Sequence, residues 1–194
     1  MPSISFPVFT LLGLLGLLMY AGFDFRRHAF NELGKRSIMY SFLVYAIVVA
    51  HLTIGFVSLP PQAGSIEIQL HPFHFINDWM IAGQQGHWFF WNSVKLTAYN
   101  FLLFLPLGVY LVVLFKIRFT NGLLLLFLTS FVIETLQFVF SYAGLLFRRT
   151  FNIDDLLLNT LGGLLGMFVA YMVVRFILTK PNPFLKQTDK TKIS

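Results

Sequence analysis

Five stretches of this 194-residue chain, 6–23, 38–59, 96–115, 119–142 and 156–178, are apolar over close to twenty residues. About 20 such residues let an α-helix cross the hydrocarbon core of a bilayer. Hydrophobic residues make up 57% of the chain and charged residues 11%, against about 25% charged in a soluble domain. A water-soluble globule has too little polar surface to cover so much hydrocarbon. The expected fold is therefore an all-α membrane protein, a bundle of about five transmembrane helices. The first run has no positive charge before it and no small-residue cleavage site after it, so it reads as a retained helix and not a signal peptide. Three segments follow: two N-terminal helices over 1–59, a core of one long loop and three helices over 60–178, and a polar tail over 179–194 expected to be disordered.

The net charge of +6 does not point to nucleic acid, because the basic residues form no stripe with interleaved aromatics. They cluster between apolar runs, where they set orientation. Arg26, Arg27, Lys35, Arg36, Lys116, Arg118, Arg175, Lys180, Lys186, Lys190 and Lys192 fall on one side, and Lys95, Arg148 and Arg149 on the other. This asymmetry predicts the N-terminus outside and the C-terminus in the cytoplasm. The long loop before the third run then lies outside. It holds Trp79, Trp88 and Trp91, residues that favour the headgroup level. Its histidines, His71, His74 and His87, have some of the look of a zinc set, but Pro72 breaks the helix that would align the first two. With no cysteine in the chain, neither a metal nor another cofactor is expected.

Polar groups inside a membrane span are costly and mark candidate function. Ser130, Glu134, Gln137 and Ser141 repeat at intervals of 4, 3 and 4 and so share an arc of about 60° on one helix face. Asp155, Asn159, Gly162 and Gly166 repeat the spacing on the next helix. The two faces are expected to meet. Glu134 lies about 12 Å below the outer end of its helix, where a carboxyl is either neutral or paired with an arginine. Asn100 and His51 also fall in the outer half, as do Arg148, Arg149, Asp154 and Asp155 of the last loop. Structural readings stand beside these. Gly162 and Gly166 make a small-xxx-small packing pair, and Asn100, Gln137, Asn159 and His51 are the kind of residue that bonds between helices. Pro106 and Gly108 shape the third helix. Arg149 with Asp154 or Asp155 is a candidate ion pair.

Three blocks of residues resemble the VanZ-like family, named after a teicoplanin-resistance protein. Asn100 to Gly108 is similar to its N-x-x-x-F-x-P-x-G segment, and Ser130-x-x-x-Glu134-x-x-Gln137 to its S-x-x-x-E-x-x-Q helix. Arg149-Thr-Phe-Asn-Ile-Asp154-Asp155 through Asn159, Gly162 and Gly166 resembles its R-x-F-D-x-D-D-x-x-x-N-T-x-G-x-x-x-G stretch, with Asn152 where the family often has Asp. The likeness spans about 60–175. It implies a multi-pass protein of the bacterial cytoplasmic membrane, with glycopeptide tolerance as the family's reported effect and no established biochemical activity.

Three functions are compatible with these residues. In the first, an outward polar pocket binds a membrane lipid, a lipid-linked wall precursor, a glycopeptide antibiotic or a partner protein. Arg148 and Arg149 then contact phosphate or carboxylate, and Asn100, Gln137 and Asn159 line the pocket with Glu134. In the second, a membrane-embedded enzyme uses Glu134 as acid or base, Asp154 or Asp155 in the opposite role, and Arg149 against developing negative charge. Ser130 is a nucleophile there only with a base beside it. In the third, one buried acid couples transport to protons, though no inverted repeat supports it.

Overall fold

A computed structural model describes residues 4–28, 33–61, 67–146 and 150–179. Among them are six helices: α1 (Val8–His28), α2 (Leu33–Thr53), α3 (His74–Gln85), α4 (His87–Val113), α5 (Phe119–Tyr142) and α6 (Ile153–Thr179). All but α3 are long and apolar enough to span a membrane. The spans run alternately up and down, since the starts of α1 and α6 and the ends of α2 and α5 are tied together at one end of the bundle.

Helix α5 has the bounds that hydropathy predicts; α1 runs over 8–28 instead of 6–23, and three others differ for local reasons. Helix α2 stops at Thr53 instead of continuing to 59, because Gly55 takes the left-handed conformation (φ 68°) that closes many helices. Helix α4 starts at His87, nine residues before the apolar run, and at 27 residues is about 40 Å long. Its first turns carry Trp88 and Trp91 and so extend past the core thickness of about 30 Å. Gly86, at φ 131°, makes the corner between α3 and α4, a conformation open to glycine and little else. Helix α6 begins at Ile153, three residues ahead of its apolar run. The Trp-rich loop is thus largely helical. In α3, Ile76, Met80 and Ile81 are exposed, while Trp79 turns inward and donates to the Thr97 hydroxyl at 3.1 Å.

Two short ladders join the connections at the end of the bundle where α4 and α6 begin. Strand β1 (Ile4–Phe6) runs antiparallel to β2 (Val57–Leu59), with Ile4 opposite Leu59. Strand β3 (Ile68–Gln69) runs parallel to β4 (Phe151–Asn152), pairing Ile68 with Phe151 and Gln69 with Asn152. This is the site end of the bundle. The hydropathy pattern gives no hint of either ladder.

The centre of the fold is the contact of α4 with α6, built on absent side chains. A Cβ at Gly162 would overlap the Phe101 carbonyl, one at Gly166 the Leu105 carbonyl, and one at Gly108 the Gly163 carbonyl. Small residues let membrane helices meet backbone to backbone, where dispersion and not the hydrophobic effect supplies the attraction. Phe104, Leu111, Val112, Leu126, Met167 and Ala170 form the buried cluster around this contact. The expectation that the shared-spacing faces of α5 and α6 meet holds for the polar half only. Asn159 donates to Ser130 of α5 at 3.1 Å, but the glycine half of that face turns to α4.

Helices α1 and α2 form a more peripheral hairpin. Leu11, Leu15, Leu18 and Met19 of α1 are exposed, as expected of a lipid-facing helix. At the end away from the site, Asp24 is buried against Arg36 and accepts from its Nε (2.8 Å) and from the Tyr40 hydroxyl (2.8 Å). At the other end, the Thr10 hydroxyl and His51 Nδ1 lie 2.8 Å apart, so His51 bonds between helices.

Candidate functional site

The polar face of α5 is buried from end to end: Ser130, Glu134, Gln137 and Ser141 are all in the interior. Buried polar groups need partners, and Ser130, Glu134 and Gln137 each find one on a different element. The Gln137 amide donates to the Thr53 carbonyl at the end of α2 (2.7 Å). The Glu134 carboxylate accepts the Asn152 backbone N–H at 3.3 Å. Ser130 accepts from Asn159, and Ser141 is also bonded.

Asn152 organises the start of α6. Its side-chain oxygen accepts the Asp154 N–H at 2.9 Å, as a helix N-cap does, and its Nδ2 lies 3.2 Å from the Asp155 carboxylate. An aspartate in its place keeps the cap but loses the donor to Asp155. The two neighbouring aspartates consequently have separate surroundings. Asp154 is 2% exposed and turns to the N-terminus of α3, where Oδ1 accepts the Phe73 N–H (2.6 Å) and Oδ2 the Phe75 N–H (3.0 Å). Those two amides have no partner within α3 itself, since a helix leaves its first N–H groups unpaired. Asp154 is thereby a positioning residue that fastens α3 to α6. Asp155 is the one that borders the space between the helices.

That space consists of two adjoining cavities. The larger, about 530 Å³, lies between α2, α4, α5 and α6, with Glu134, Gln137, Asp155 and Asn159 along its polar side. The smaller, about 290 Å³, lies under α3 and is lined by Asp78, Ser93, Thr97, Asn152 and Asp154 among others. Leu96, Asn100 and Asp155 line both and form the boundary. The larger volume falls within the roughly 300–1,000 Å³ of small-molecule sites. Asn100, Glu134, Gln137, Asp155 and Asn159, drawn from distant sequence blocks, therefore border one continuous region. Arg148 and Arg149 lie outside the described residues.

Pro106 also lines the larger cavity. It removes the N–H that would bond the Leu102 carbonyl, and one residue further on the Leu103 carbonyl accepts the Tyr45 hydroxyl at 2.7 Å. Replacing Tyr45 by phenylalanine should cost about 1 kcal/mol, read as a lower midpoint in detergent unfolding. Tyr45 and Thr53 are site-wall residues that sequence reasoning missed. Nothing in α2 sets them apart from ordinary membrane-helix residues. Asp24 was also missed, although an acid between two phenylalanines at the end of an apolar run, followed by Arg36 across a hairpin, is a visible signal.

Among the described residues, no group of three or more metal-ligating side chains converges. His74 Nδ1 lies 3.3 Å from Asp78, and His87 Nε2 is 2.7 Å from the Trp91 indole nitrogen. No curated protein and no solved structure matches the chain. The family model VanZ/LLP1 matches residues 38–175, a longer region than the 60–175 suggested by the three blocks. It takes in α2, the helix that supplies one wall of the cavity. Five spanning helices, a polar α5 face bonded to the start of α6 and a match over most of the sequence agree: this multi-pass membrane protein belongs to the VanZ/LLP1 family.

Proposed function

We propose that the chain is a non-enzymatic protein of the bacterial cytoplasmic membrane. Its site end faces outward, and its cavity holds a membrane lipid or lipid-linked wall precursor, altering how glycopeptide antibiotics act at the cell surface. The observation that carries this reading is the cavity of about 530 Å³ with Glu134, Gln137, Asp155 and Asn159 converging on it. Lys35, Arg36, Lys116, Arg118 and Arg175 lie toward the opposite end, which the positive-inside rule assigns to the cytoplasm. Arg148 and Arg149, which fall between α5 and α6 in the sequence, supply the cations for a phosphate or carboxylate in this reading.

The test is teicoplanin susceptibility of a sensitive bacterium expressing the chain, beside Glu134→Gln and Asp155→Asn variants at matched membrane levels. The expected result is that the wild type raises the inhibitory concentration several-fold and each variant loses most of that gain. Equal protection by all three makes these carboxylates structural. No protection by the wild type removes the antibiotic part of the proposal.

A further inference from the structure

The larger cavity is open on its hydrocarbon side. Val48 and Leu52 of α2 frame one edge and Leu96, Tyr99 and Leu102 of α4 the other, each 46–61% exposed. Both helices are membrane spans, so the mouth between them faces lipid tails. Away from the site end, side chains bridge α2 to α4 and the turn after it. The Phe42 ring sits edge-on to Tyr110 and Phe115, with centroids 5.3 and 5.2 Å apart, and the Tyr110 hydroxyl donates to Ser41 at 3.1 Å. The last of these ties is the bond from Tyr45 to the Leu103 carbonyl. Eight residues further along, about 12 Å, Gln137 holds the Thr53 carbonyl to α5. The mouth lies between these two bonds.

At the polar side of the cavity, Asn159 is 2% exposed. Its Nδ2 is committed to Ser130, and its Oδ1 has no hydrogen-bond partner. A buried acceptor without a donor carries a cost that a ligand donor would relieve. The smaller cavity continues from the larger past Asn100 and Asp155 and is lined mainly by polar groups. An apolar chamber open to lipid tails, a lone acceptor buried on a residue of its polar wall and a polar chamber beyond suit a molecule with a tail, a donor at its junction that draws the Asn159 amide toward it, and a polar head.

We infer that the mouth between α2 and α4 is a lateral portal for a membrane amphiphile. Its chain occupies the larger cavity, a hydroxyl or amide N–H at the chain's polar junction donates to Asn159 Oδ1, and its head reaches the smaller cavity. This deepens the function proposed above by naming ligand class and route, and it rests on that site being a ligand site.

The test uses the full chain in lipid nanodiscs and a monoacylglycerol carrying a photoreactive group in its acyl chain. Saturable cross-linking is expected within 48–53 and 96–106. Unlabelled monoacylglycerol should compete about tenfold better than a fatty-acid methyl ester, which lacks the donor; that ratio is about the worth of one hydrogen bond. Leu102→Trp, at the mouth, should abolish the saturable component, and Leu18→Trp, on the exposed face of α1, should leave it intact. Asn159→Ala should erase the preference between the two competitors. Non-saturable labelling spread equally over α1 overturns the portal, as does equal competition in the wild type. Wild-type antibiotic protection together with non-saturable labelling defeats the portal alone. Saturable cavity labelling without protection supports the portal and defeats the antibiotic reading.

Discussion

Replacing Gly162 by leucine should leave almost no folded protein, the largest effect expected of any single substitution in the chain. A Cβ at this position already overlaps the carbonyl of Phe101 on α4, and the atom in the way is backbone. No rotamer change can relieve that overlap, so the helices must move apart. Separation also breaks the neighbouring contacts at Gly166 and Gly108, because all three belong to one seam. Overpacking in an ordinary core costs about 1–3 kcal/mol, and a displaced helix pair should exceed that range. The measurement is the monodisperse fraction recovered in mild detergent, with Gly16→Leu as control, since a Cβ at Gly16 meets nothing within 4 Å. Normal recovery of Gly162→Leu would mean that the α4–α6 contact does not hold the fold together.

Asp154→Ala should produce the second-largest effect, concentrated in one helix. Removing the carboxylate leaves the Phe73 and Phe75 N–H groups without their acceptor. Hydrogen bonds to a charged group contribute about 1.5–3 kcal/mol each, so the start of α3 should lose on the order of 3 kcal/mol. Hydrogen exchange is the suitable readout because it resolves local opening. Amides of α3 should lose on the order of 100-fold in protection while those of the α4–α6 seam stay unchanged. Asp154→Asn keeps one acceptor but turns a donor toward the other N–H, and should fall between wild type and alanine. Unaltered protection in α3 would show that its position is set by Trp79 and Thr97 instead. Since Phe75 and Asp78 of α3 line the smaller cavity, losing this fastening also opens the site from above.

The parts of the fold that were legible in the sequence are those where one strong physical rule acts alone. Helix α5 is bounded by Arg118 and by Gly144 at φ 72°, and inside it the 4-3-4 spacing of Ser130, Glu134, Gln137 and Ser141 marks a buried polar face. Hydropathy gives no such edge at the start of α4, because the Trp-rich turns from His87 to Lys95 are helical without being uniformly apolar. The roles of Asp154 and Asp155 were not separable from composition. Which carboxylate caps α3 depends on a partner 79–81 residues away in sequence. The α2 wall was hidden for the opposite reason: Val48 and Leu52 look the same whether they border a cavity or bare lipid.

The seam and the α2 wall differ in how freely their sequences can change. At Gly108, Gly162 and Gly166 the α4–α6 contact is backbone against backbone, so those positions leave drift no side chains to exchange. Facing it across the cavity, α2 contributes Val48, Val49 and Leu52, which volume-conserving swaps can reshape at little cost to the fold. A lineage can therefore change what the chamber accepts by rewriting one helix face while inheriting the other wall unaltered. Diversity among relatives is expected to gather on α2, and what they share to gather on the seam.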